Sequence, residues 1–112
     1  MRKNDELVFV YVWEYFVKTE SLPAFEEAYH AEGTWVELFK KAEGYIATQL
    51  LKDDTKNNRY MTLDYWRTKA DRDHFRQKFK DQFDLLDAHC EDFTLQENFL
   101  GDFHTHLINT GR

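Results

Sequence analysis

The sequence predicts an α+β fold in which four strands and two helical stretches follow the order β-α-β-β-α-β. Three observations predict it. The stretch Leu7–Val17 is apolar, β-branched and aromatic, which favours an extended ribbon over a helix. Two later stretches repeat apolar residues at helical spacing. Only four Gly and one Pro occur among 112 residues, so regular elements fill most of the chain.

The first strand, LVFVYVWEYFV, ends in a turn at Lys18–Glu20. Ser21 is a good helix N-cap, and Pro23 is tolerated in the first turn after it. Leu22, Phe25 and Tyr29 then fall on one helical face, and the helix loosens at Ala31-Glu32-Gly33. Thr34 and Glu37 are spaced as a capping box for a restart that carries Trp35, Leu38, Phe39 and Ala42 as one stripe. Gly44 is the expected left-handed terminator. A second strand from about Tyr45 to Leu51 and a third from about Arg59 to Trp66 form a hairpin across the polar run Asp53–Asn58. Thr68 caps the next helix, with Asp71 in its first turn. Phe75, Phe79, Phe83, Leu86, Cys90 and Phe93 continue at helical spacing into a fourth strand, about Thr94–Phe103, interrupted near Gly101.

A chain of this length and order is satisfied by a ferredoxin-like antiparallel sheet with its helices on one face and strands one and three at its centre. One domain spans residues 1–112, with a core over 7–103 and a polar tail from 104 to 112.

Composition removes several functions. Fifteen Lys and Arg against twenty-one Asp and Glu leave a net charge of −6, which repels a phosphate backbone, so no nucleic-acid partner is expected. No apolar run reaches the ~18 residues of a membrane span, and the polar start is no signal peptide. A single cysteine, Cys90, forms no internal disulfide and no cysteine-type zinc site, and a cytoplasmic location is expected. His104 and His106 lack a third ligand, so no metal is expected.

The first strand is apolar on both sides. Phe9, Tyr11, Trp13, Tyr15 and Val17 alternate with Val8, Val10, Val12, Glu14 and Phe16, and only Glu14 is charged. Two helices cover one face of a sheet. Leaving four or five large side chains wet on the other would forgo roughly 1.5–3 kcal/mol each, against about 5–15 kcal/mol for a whole domain. A homodimer packed sheet against sheet is the expected remedy. Parity alone does not say which face meets the helices.

The element order, VWEYFV in the first strand, the EGY turn and YMTLDYW in the third strand resemble the antibiotic biosynthesis monooxygenase (ABM) family of dimeric α+β barrels. The resemblance covers about Leu7–Phe103 and implies a homodimer with a pocket between helices and sheet. It also implies one of three activities: oxidation of phenolic aromatics by dioxygen without metal or flavin, haem degradation, or none assigned. Trp66 matches the family's strand-three tryptophan. The haem-degrading class has an asparagine where Val12 stands and a histidine where Arg76 stands, with His74 only nearby, so haem is disfavoured and no cofactor is expected.

A small phenolic or quinol-type substrate would need an apolar cavity and a group to remove its proton. Trp13, Tyr15, Trp35, Phe39, Phe75 and Phe79 are the expected binding rings. Trp66, Asp64 and His74 are the expected catalytic residues, Asp64 or His74 as base. Asp64 and Glu14 both fall at even positions; they either form one polar patch with Thr48 and Thr62 or, as the more ordinary expectation, are satisfied at the dimer seam or by Arg59. Any single ring also has an ordinary explanation in core packing. A non-catalytic dimeric module for small-ligand binding or stress response shares all these features.

Overall fold

Alternation and register decide this fold. A computed structural model describes residues 7–107. β1 spans Leu7–Val17, β2 Tyr45–Lys52, β3 Arg59–Trp66 and β4 Thr94–His106. All neighbours are antiparallel, in the order β2-β3-β1-β4, so β1 and β3 are central as the element order predicts. The helical stretches are each divided: α1 is Leu22–Tyr29 and α2 Thr34–Phe39, then α3 is Lys69–Lys78 and α4 Lys80–Cys90. The second division falls at Phe79, whose backbone leaves helical geometry.

The caps are met in part. Thr68 accepts the Asp71 N–H at 3.1 Å, and Gly44 has φ +87° at the turn into β2. Thr34 is not a cap: Gly33 occupies that position and accepts the Glu37 N–H, so Thr34 already lies inside α2. Glu37 therefore has no partner hydroxyl to complete the box.

All four helices pack on one face of the sheet, and the odd residues of β1 are beneath them. Phe9, Tyr11, Tyr15 and Val17 join Phe25, Tyr29, Trp35, Phe39, Phe75 and Cys90 in one buried cluster. β3 shows the same division: Tyr60, Thr62, Asp64 and Trp66 are buried, while Arg59, Met61, Leu63 and Tyr65 are half-buried on the other side. On that second face Val10 and Val12 are shielded by the flanking strands, but Leu51 and Phe103 remain 45% and 48% exposed.

Two details of β4 differ from expectation. The strand continues past Phe103, because His104, Thr105 and His106 pair with Phe9, Val8 and Leu7. Only residues 108–112 of the expected tail lie outside the described residues. The interruption near Gly101 is a bulge: Gly101 pairs with Val12 and Phe99 with Trp13, which leaves Leu100 as the extra residue.

Candidate active site

The central strands β1 and β3 and the edge strand β2 meet α1–α4 over a cavity of about 70 Å³. Tyr11, Trp13 and Tyr15 reach it from β1, and Thr62 and Asp64 from β3, because Tyr11 pairs with Asp64 and Trp13 with Thr62. Thr48 joins them from β2 by pairing with Asp64. Tyr29, Trp35, Phe39 and Phe83 close the helical side. Tyr29 lies 5.1 Å from Tyr15, and Trp35 lies 5.1 Å from Phe83, centroid to centroid. Exposed charged residues border the same space: Arg76 of α3, Asp87 of α4 and Glu97 of β4.

Asp64 is the chemical centre of this wall. Its Oδ1 accepts the Thr48 hydroxyl at 2.6 Å, and Thr48 in turn accepts the Tyr45 hydroxyl at 2.8 Å. Burial raises its pKa from the ordinary 3.8 to about 7, against the opposing pull of the Thr48 hydrogen bond and the Arg76 charge. Burial pushes the phenols of Tyr11, Tyr15 and Tyr29 upward too, with Asp64 adding to the rise at Tyr11. Those hydroxyls stay protonated at neutral pH, and that of Tyr15 accepts the Thr62 hydroxyl at 3.5 Å. Partial desolvation at the cavity rim raises Glu97, with the charges of Asp87 and Glu91 adding to the rise and the Thr94 hydroxyl opposing it.

The expected polar patch divides. Asp64, Thr48 and Thr62 lie under the helices, but Glu14 is on the opposite face. It pairs with Met61 in register and binds Arg59 Nε at 2.7 Å and Asn98 Nδ2 at 2.8 Å. Even numbering does not carry a face from one strand to another, because the register puts odd residues of β1 opposite even residues of β3.

Of the expected site residues, Trp13, Tyr15, Trp35, Phe39 and Asp64 line the cavity. Trp66 is fully buried behind it, 5.8 Å from Phe39 and 5.3 Å from Phe75. Phe75 and Phe79 stack on each other at 5.6 Å outside the lining. His74 is exposed on α3 and does not line the cavity, since Phe75 beside it takes the inward position. Arg76 was singled out only as a departure from a histidine, yet its guanidinium lies 4.8 Å from the Phe83 ring and 5.9 Å from the Tyr11 ring. The signal for it was its spacing of four from Arg72 on one helical face. Asp87 and Glu97 had no such signal.

The family model for antibiotic biosynthesis monooxygenases matches residues 8–93. The chain belongs to the antibiotic biosynthesis monooxygenase family. Solved structures share the ABM fold at low identity. One is a provisionally assigned antibiotic biosynthesis monooxygenase from Nitrosomonas europaea: TM-score 0.65, 14% identity, with 92% of each chain covered. A nipsnap family protein of unknown function from Agrobacterium tumefaciens matches at TM-score 0.65 and 13% identity, again with 92% of each chain covered. A variant of SnoaB, a cofactor-independent oxygenase from Streptomyces nogalater, matches at TM-score 0.61 and 18% identity, covering 94% of this chain and 98% of its own. These likenesses are of fold. No curated protein sequence matches the chain. The ABM cavity here does not fit haem: no His, Cys or Met lines it, and the tyrosines that do are buried phenols raised far above their ordinary pKa, ill suited to ligate iron as phenolates. Among the described residues no three His, Cys, Asp or Glu side chains converge as metal ligands, and no helix is long and apolar enough to cross a membrane.

Proposed function

We propose that this ABM protein is a cofactor-independent monooxygenase of a small phenolic or quinol-type aromatic, acting as a cytoplasmic homodimer. Asp64 carries the proposal: a carboxyl buried among rings, with its pKa near 7, is suited to take a proton at neutral pH. Trp13, Tyr15 and Trp35 would hold the flat substrate, and the Tyr11 hydroxyl would donate to its oxygen. Removal of a substrate proton by Asp64 leaves an electron-rich anion. It transfers one electron to dioxygen, and the radical pair joins as a carbon-bound peroxide. Return of the proton, cleavage of the O–O bond and loss of the remaining C–H hydrogen release water. For a methylene carbon the balance is R2CH2 + O2 → R2C=O + H2O, with the substrate as the sole reductant. The open sheet face, with Leu51 and Phe103 exposed, supports the dimer. The single buried Cys90 suits a reducing compartment.

The cavity of about 70 Å³ favours a second reading. A benzene-sized ring occupies a cavity of about 150 Å³, so an aromatic substrate must displace a wall, and half-buried Trp13 and Phe83 are the available walls. A non-catalytic module binding a ligand of a few atoms needs no such movement. Oxygen uptake by folded protein over a panel of hydroxyanthrones and hydroquinones decides between them. The monooxygenase should consume one O2 per substrate and lose that activity in Asp64→Asn. Saturable binding without uptake would sink the enzymatic reading and leave the module.

A further inference from the structure

The hydrogen bonds around Asp64 are unequal. Oδ1 is occupied by Thr48, and Thr48 is itself held by Tyr45. Oδ2 has no protein hydrogen bond among the described residues. It is not sealed off either: among the described residues, the sealed, unpartnered side-chain atoms are Trp35 Nε1 and Trp66 Nε1. Thr48 lines the cavity and Tyr45 does not. Tyr45 therefore stands behind Thr48, wedged between Phe39 at 5.5 Å and Trp66 at 5.4 Å.

We infer that Tyr45 and Thr48 are positioning residues that fix Asp64 with Oδ1 engaged and Oδ2 free to accept the substrate proton. Because the Tyr45 O–H fills a lone pair of the Thr48 oxygen, the Thr48 hydrogen is committed to Asp64. Each donation strengthens the next, since a hydroxyl that accepts a hydrogen bond becomes a better donor. The Thr48 bond favours the ionised carboxylate and holds down a pKa that burial drives up, and the Tyr45 bond supports it by polarising the Thr48 hydroxyl. Tyr45 needs no contact with substrate to act. Its ring is fixed by Phe39 and Trp66, which gives the buried Trp66 a supporting part in the site. The acid–base role assigned to Asp64 rests on the proposed oxygenase function, whereas the positioning does not.

Several other groups face the carboxyl and set its baseline. Tyr11 and Tyr15 approach from β1 and Arg76 from α3, while Asp87 of α4 and Glu97 of β4 border the same cavity. Neither substitution removes any of these groups, so the comparison isolates the chain of hydroxyls.

The test is a titration of the Asp64 carboxyl by carbon-13 NMR in protein labelled at aspartate. Thr48→Val should raise the midpoint by about one unit, and Thr48→Ser should restore it. Tyr45→Phe, which deletes one oxygen and keeps the ring, should raise it in the same direction by less. A wild-type midpoint in Tyr45→Phe overturns the role of Tyr45, and a wild-type midpoint in Thr48→Val overturns the whole chain. Thr48→Ser and Tyr45→Phe are near-isosteric, so they keep the inference testable should Thr48→Val fail to fold. The oxygen-uptake assay on wild-type protein separates the two ideas. Shifted midpoints with no uptake leave the positioning intact and remove the oxygenase function. Uptake whose pH profile is unmoved in Tyr45→Phe does the reverse.

Discussion

Tyr11 and Asp64 stand opposite each other in the β1–β3 pair, on the face that the helices cover. This one register places a carboxyl and a phenol together in an apolar wall. It also leaves Glu14, three residues along β1, on the open side with Arg59.

Asp64 makes stability depend on pH. Its folded pKa of about 7 is above the ordinary 3.8, so the folded state holds a proton that the unfolded chain releases. The protonated carboxyl favours the fold fully below about 4, and that advantage is lost as pH rises through about 7. Asp64→Asn keeps the shape without the charge. Its thermal midpoint relative to wild type should rise between pH 5 and pH 8, by the equivalent of a few kcal/mol at most. A constant difference across that range would contradict the buried, late-titrating carboxyl.

Trp66 is wholly buried, and its indole N–H has no partner among the described residues. Trp66→Ala should cost about 3–5 kcal/mol from the cavity it leaves. Trp66→Phe should cost clearly less, because it fills most of the space and removes an unsatisfied donor. Denaturant melts of the two variants measure this, and equal losses would mean that the ring is not core.

Leu51 and Phe103 lie on the open face, opposite Met61 and Val10. The double variant Leu51→Glu with Phe103→Glu puts charge where sheet would meet sheet. Both side chains are about half exposed in the single subunit, so its fold should survive. Sedimentation should show a dimer for wild type and a monomer for the variant. A folded wild-type monomer at working concentration would remove the dimer.

Gly44 has φ +87°, and an added Cβ would approach Asp71 Oδ2 to 2.3 Å. Asp71 is held there by Arg67 at 2.8 Å and by the Thr68 cap. Gly44→Ala should therefore destabilise by about 1 kcal/mol or more, read as a lower denaturation midpoint. An unchanged midpoint would show that the turn relaxes freely.

Much of the scaffold was legible because its signals are local. Leu7–Val17 is a strand from its own residue types, Thr68 and Gly44 mark ends by their own chemistry, and helical spacing places Phe25, Trp35 and Phe75 toward a core. The site was legible only in part. Rings such as Trp13, Tyr15 and Trp35 could be nominated, but Arg76, Asp87 and Glu97 reach the cavity from three different elements. His74 is a neighbour in sequence and a stranger in space, since one residue along a helix turns the side chain by about 100°.

The element order, the antiparallel α+β class and the two apolar sides of β1 follow from the residues alone, because residue type and period act within a single element. Which side the helices take, that Asp64 shares it with Tyr11 while Glu14 does not, and that Thr48 and Tyr45 support the carboxyl emerge only when the strands pair and the helices pack. Those are relations between strands. They depend on register and on the packing of helices over the sheet, and no period within one strand encodes them.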